Sequence, residues 1–284
     1  MIRQKRRLVI MIPTLNEEVA IGAVIDEIPL EKLSEMGFES LVVVVDGKSK
    51  DRTQEIATFK NAMVFTQDGN GKGVGVRQAF RLSDPKQVVH SALTLKNGIN
   101  DTIRSLSAFL DSEYVVMLDG DGTYPSHHIP DIVEKLEEGY EVVMGSRFKG
   151  YVEPGAMSRV NWVGNYMLCG LATVMYSKKT SDLCTGMWGF KTSALRTLSL
   201  DSCGFDLEAE IFAESAKNHF RIGEVPITYR CRRGESKLVP INAGLMIALK
   251  LIVRRVINPG PDMRIMMPED TPLSPLGDGD SRGY

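Results

Sequence analysis

Five stretches of the chain are short, unbroken apolar runs that stop at glycine, proline or a polar residue: RLVIMIP, FESLVVVVDG, AMVFTQ, EYVVMLDG and YEVVMGSR. Runs of this length, rich in Val, Ile and Met and apolar on both faces, are what strands buried on both sides of a parallel sheet require. Between them the pattern changes to that of helices: EEVAIGAVIDEIP after Asn16, DRTQEIATFKN after Ser49, GVRQAFRL after Gly73, and SHHIPDIVEKLEEG, with Ser126 placed to serve as N-cap. Strand alternating with helix predicts an α/β fold with a doubly wound, mostly parallel sheet and helices on both faces. In such sheets ligands bind beyond the carboxyl ends of the strands, where Pro13, Asp46, Asp119 and Ser146 emerge. The second half mixes helical patterns over 163–176 and 207–218 with the extended pieces MWGFK and RIGEVPITYR, read as a substrate-side extension of the same domain.

Three segments depart from this rhythm. About thirty residues between Ser83 and Ser112 separate a helix from the next strand, where about 2–6 normally suffice. Residues 242–257, NAGLMIALKLIVRRVI, read as an amphipathic helix with Ile241, Leu245, Ala248, Leu249, Ile252 and Val256 on one stripe and Lys250 and Arg254 opposite. Such a helix either lies on a membrane surface or packs on the core with snorkelling basic ends. Residues 259–284 are rich in Pro, Gly and Asp and are expected to be disordered. The expected organisation is one domain over 1–240 with an insertion at about 83–112, a helix over 241–258, and a tail.

Composition narrows the function classes. The net charge of -2 gives no basic excess for nucleic acid, and the tail hides some of the balance: its -3 leaves +1 on the residues before it. The four cysteines are far apart with no CxxC pair, so buried thiols in a reducing compartment are expected, not a zinc site or disulfides. LVIMI is too short for a signal-peptide core, and no apolar run approaches the length of a transmembrane helix. A cytoplasmic location is expected.

The sharpest chemical signal is Asp119-Gly120-Asp121, two carboxylates one residue apart at the mouth of a buried strand. A polar turn accounts for the glycines, and a calcium loop lacks its Asp or Asn at the fifth position and Gly at the sixth. Two such charges about 4 Å apart repel by about 4 kcal/mol at an effective dielectric near 20, which a divalent cation would reverse. Mg²⁺ binds in this way, through one or two carboxylates together with diphosphate oxygens. Asp46 suits a base or ribose, while Asp51 serves either that turn or a helix cap. Lys72 sits in a glycine-rich NGKGVGVR that is not a Walker loop, and Arg147 in GSR is either a phosphate ligand or a surface arginine.

Together, PTLNEE, VVDGKSKDRT, GKG, DGDGTYP, GSR, DLCTGMWGFK, GFDLEAE, EVPITYR and RRGESKL, in this order over residues 7–238, resemble inverting family-two glycosyltransferases of the GT-A fold. Within them the chain is similar to the dolichyl-phosphate glucose and mannose synthases, in their archaeal-type branch. The resemblance implies that Pro13, Leu15 and Glu17 frame the nucleotide and that Asp46 reads the base. It implies that Asp119 and Asp121 hold Mg²⁺ or Mn²⁺ on the diphosphate, that Gly120 and Lys72 line the donor site, and that Arg147 and Lys237 hold donor or acceptor phosphates, with Asp121, Arg147 and Lys237 as the catalytic set. The implied partners are a nucleotide-sugar donor, UDP-glucose or a UDP-N-acetylhexosamine before GDP-mannose, and a polyprenyl or dolichyl phosphate acceptor. The implied location is peripheral, on the inner face of the cell membrane. A soluble acceptor such as phosphoglycerate and a non-catalytic sugar-nucleotide-binding protein are the competing readings.

The phosphate acceptor is already ionised at neutral pH, so Glu208 and Glu210 are expected to orient basic side chains and not to act as a general base. Two departures stand out. Gly47 replaces the second of two adjacent aspartates common in the family, and Thr123 stands where mannose synthases commonly place Gln, which puts a third metal contact in doubt. His127 and His128 are expected on a solvent-facing first helical turn.

Overall fold

The computed structural model describes residues 6–85, 109–233 and 240–257. The apolar runs form β1 (Arg6–Thr14), β2 (Phe38–Asp46), β3 (Met63–Thr66), β4 (Ser112–Met117) and β5 (Val142–Val152), and the two extended pieces of the second half form β6 (Trp188–Lys191) and β7 (Ile222–Tyr229). All seven join one sheet in the order β3-β2-β1-β4-β6-β5-β7. Every described pairing is parallel except those of β6, which runs antiparallel to β4 and β5.

Alternate side chains of each strand point to opposite faces, so a strand apolar throughout feeds two cores. From β1, Leu8, Ile10 and Ile12 enter one core, lined by α1 (Ile21–Asp26), α2 (Leu30–Glu35), α3 (Thr53–Phe59) and α5 (Ile129–Glu137). Val9 and Met11 enter the other, which is closed by α4 (Lys72–Arg81), α6 (Arg159–Tyr176), α8 (Leu207–Lys217) and α9 (Pro240–Val256). The short α7 (Thr192–Leu195) follows β6 directly. The fold class expected from the apolar pattern is therefore the one observed. Most of the 83–112 insertion and the 259–284 tail lie outside the described residues.

Three local expectations need correction. Ser126 does not cap α5: a 3₁₀ turn over Ser126–His128 precedes that helix, and the Ser126 hydroxyl donates to the Val24 carbonyl at 2.8 Å. His127 faces solvent but His128 does not; its Nε2 accepts from the Thr228 N–H at 3.0 Å, while Nδ1 meets Asp131 at 3.2 Å. In α9 the stripe and the basic row do lie on opposite sides, but the basic row faces inward. Arg254 is fully buried, whereas Leu245, Leu249, Ile252 and Val256 face solvent.

Candidate active site

The paired aspartates are held by their own loop. Immediately after β4, Leu118 N–H still bonds the Met11 carbonyl, so the chain leaves the sheet beside the end of β1. Gly120 lies against Thr14 there; a Cβ at 120 would come within 2.5 Å of Thr14 Cγ2. Asp121 Oδ1 accepts from the Thr123 N–H at 2.9 Å and from its hydroxyl at 2.6 Å. Thr123 thus aims the second aspartate, a role the departure from the glutamine pattern leaves open to a short hydroxyl. Asp119 is seated against Gly186, where a Cβ would fall 2.2 Å from Oδ2. Glycine at 186 is what leaves room for the carboxylate.

Two cationic side chains reach these acids. Lys72, the first residue of α4, places Nζ 2.6 Å from both Asp119 Oδ1 and Glu208 Oε1. Burial works against its charge, yet these two carboxylates hold the ammonium well above its ordinary pKa. Burial raises Asp119 to about 6, Lys72 opposes the rise, and Asp121 and Glu208 add repulsion. The glycine-rich turn before α4 is packed and not open: the Gly73 N–H bonds the Cys203 carbonyl at 3.2 Å, tying Lys72 to the loop that leads into α8. Arg232 sits beyond β7, with Nη2 2.8 Å from Glu17 and Nη1 3.4 Å from Asp121. Its approach is fixed by Arg230, which makes a forked pair with Glu27 at 3.0 and 2.8 Å and donates its N–H to the Thr123 carbonyl.

The ends of β1 and β2 close the other side. Asp46 is buried, and its Oδ2 accepts from the Ser49 N–H at 2.9 Å and from Gln54 Nε2 at 2.6 Å, so it shapes the turn after β2. Asp51 bonds both the Thr53 and the Glu18 N–H groups, joining that turn to the loop after β1. Pro13 lies opposite Val45, one residue before the end of β1's pairing with β2, and Leu15 stands just past that end, partly exposed beside Gly47. The structure therefore gathers Leu15, Glu17, Asp46, Lys72, Asp119 and Asp121 at one end of the sheet.

Arg147 is different. Its Nε and Nη2 donate to Asp182 at 2.7 and 2.6 Å, its N–H bonds the same carboxylate at 2.9 Å, and both side chains are buried. A surface arginine is excluded, and the guanidinium edge expected to meet phosphate is taken by Asp182. Lys237 lies outside the described residues. Sequence reading passed over Arg232, Asp182 and Gly186; of these, Arg232 carried a signal, standing just past a strand end in RRGESKL.

The donor set suits a hard divalent cation. Among the described residues no group of three or more His, Cys, Asp or Glu is arranged as a metal cage. Asp119 and Asp121 instead offer carboxylate oxygens, with Lys72 Nζ standing where positive charge is already favoured. Magnesium and manganese accept such a site when a diphosphate and water complete the shell.

Comparison with known proteins shows the family. Residues 96–199 match the family model for glycosyl transferase family 2. The chain is 34% identical over 251 residues to Glycosyltransferase AglJ of Haloferax volcanii, covering 88% of this chain and 72% of that protein. It is 32% identical over 246 residues to the Dolichyl-phosphate hexose transferase of the same organism, covering 86% of this chain and 92% of that protein. Among solved structures, the glucosyl-3-phosphoglycerate synthase of Mycobacterium tuberculosis in complex with Mn²⁺, UDP and glucosyl-3-phosphoglycerate superposes with a TM-score of 0.59 at 20% identity, covering 90% of this chain and 82% of that one. At that identity the likeness concerns the fold.

Proposed function

We propose that this chain, which belongs to glycosyl transferase family 2 and is a glycosyltransferase, moves a hexose from a nucleotide sugar to a polyprenyl or dolichyl phosphate with inversion. The observation that carries the acceptor is the match along nearly the whole length of a dolichyl-phosphate hexose transferase. The donor reading rests on Asp119 and Asp121 beside Asp46 and Glu17. A Mg²⁺ or Mn²⁺ ion bound by Asp119 and Asp121 would neutralise the departing nucleoside diphosphate. Lys72 and Arg232 hold positive charge against the same carboxylates, at 2.6 and 3.4 Å, so the donor meets a site whose charges are already oriented. Glu208 keeps Lys72 in place, and a phosphate acceptor needs no proton removed. Rate enhancement then comes from in-line positioning and electrostatics.

The test is a panel of radiolabelled UDP-glucose, UDP-N-acetylglucosamine and GDP-mannose, offered with polyprenyl phosphate or 3-phosphoglycerate, with and without chelator. The expected result is chelator-sensitive label in the organic phase with one donor. Label that enters only phosphoglycerate overturns the lipid acceptor, and nucleotide-sugar binding without transfer to either acceptor would overturn both.

A further inference from the structure

Of the two adjacent histidines on the turn before α5, His127 is exposed, whereas the side chain of His128 is only 14% exposed. The contacts of His128 fix its protonation state. Its Nε2 lies 3.0 Å from the Thr228 backbone nitrogen, whose N–H can only donate, so Nε2 keeps its lone pair. The ring proton therefore sits on Nδ1, 3.2 Å from Asp131 Oδ2. An imidazolium would set one N–H against another. Asp131 on α5 favours the charged ring, but burial, the His127 ring 4.3 Å away and Arg230 oppose it, and the balance holds the pKa of His128 below its ordinary value. Glu27, at the end of α1, is taken up by His127 at 3.2 Å and by the Arg230 fork.

This bond fixes backbone that carries site residues. β7 stands at one edge of the sheet, and the chain beyond Thr228 brings Arg230 and then Arg232 to the carboxylates. The segment from Asp121 to His128 is fastened to it twice, by the Arg230 N–H on the Thr123 carbonyl at 2.9 Å and by the Thr228 N–H on His128. Thr123 aims Asp121, and Arg232 reaches the same carboxylate. We infer that His128 is a positioning residue that works only as a neutral acceptor: it pins the end of β7 to the Asp121 loop, and acid releases that pin. The inference goes beyond the transfer reaction proposed above and rests on it only for what the pinned segments do in turnover.

Glutamine can place an amide oxygen near the position of Nε2 and does not titrate, so His128→Gln separates the acceptor from the charge. The first measurement uses the full chain without donor, acceptor or metal. Imidazole nitrogen NMR assigns His128 as the signal missing from His128→Gln among the four histidines. Expected are an Nδ1–H tautomer at neutral pH, a titration midpoint below about 6.5, and a Thr228 amide signal that moves with that titration in the wild type and stays still in His128→Gln. An Nε2–H tautomer at neutral pH, or a Thr228 amide that ignores the His128 titration, overturns the inference.

The second measurement is the pH profile of kcat/KM. Acid losses from other groups fall on both enzymes, so the difference between them reads His128. Between about pH 7.5 and about pH 5.5 the wild type should lose about tenfold more than His128→Gln, while His128→Ala, with no acceptor, should be about tenfold down at both. Identical acid limbs in the wild type and His128→Gln overturn the positioning role. A chain that transfers no sugar overturns the proposed reaction instead, and the nitrogen and amide signals then decide the inference by themselves.

Discussion

The buried pair of Arg147 and Asp182 decides whether the arginine serves the fold or the ligand. Asp182 accepts three bonds from Arg147, two from the guanidinium and one from the backbone, and both side chains are removed from solvent. Replacing Asp182 by Asn keeps an acceptor for the backbone N–H while leaving a buried guanidinium without its counter-charge. Breaking a buried pair from one side costs about 3–5 kcal/mol, which for a domain of this size is a melting shift of about 10 °C. Arg147→Met leaves the Asp182 carboxylate with the backbone N–H alone and should cost a similar amount. The double variant Arg147→Met/Asp182→Asn removes both charges, so a double-mutant cycle by urea denaturation should return a coupling of about 3 kcal/mol. A coupling below about 1 kcal/mol, with turnover collapsing in Arg147→Met only, would refute the argument and return the guanidinium to a phosphate.

Further outcomes follow from the same contacts. Asp121→Ala should reduce metal-dependent turnover by at least about a thousandfold, whereas Glu208→Gln, which keeps an oxygen facing Lys72, should retain measurable activity. Equal, complete loss in both would show that a base is needed. Gly186→Ala places a methyl 2.2 Å from Asp119 Oδ2, so the metal dependence of activity should move to higher concentration; an unchanged metal titration would mean that Asp119 is not a ligand. Burial pushes the Glu224 carboxyl up, but Lys149 at 2.7 Å and the Ser181 N–H and hydroxyl outweigh it and hold the pKa below its ordinary value. A depressed carboxylate contributes stability above its unfolded pKa and loses it as pH falls, so melting temperature should drop below about pH 4, and less steeply in Glu224→Gln.

The strands were legible because each is apolar on both faces, and Asp119 with Asp121 because crowding two charges at a strand end has few structural excuses. What escaped reading is what long-range pairing decides. Lys72 and Glu208 are 136 residues apart, and Arg147 finds Asp182 across 35; neither partner is marked by local spacing. The C-terminal helix is the instructive case. Its apolar stripe and its basic row were both visible, but amphipathicity alone says only that the two faces differ. The missing half lies along α8 and its N-cap residue, where Asp206, Glu210 and Glu214 recur every four residues and make an acidic row. Lys250 and Arg254, also four apart, meet it rung by rung: Lys250 lies 3.0 Å from Asp206, Arg254 pairs with Glu210, and Asp201 contributes to both. Two such rows stabilise each other only when they face, since either one buried alone would leave uncompensated charge at a cost of several kcal/mol. Once the charged rows turn toward each other, Ile247 and Leu251 go inward beside them, and Leu245, Leu249, Ile252 and Val256 on the opposite side are left facing out.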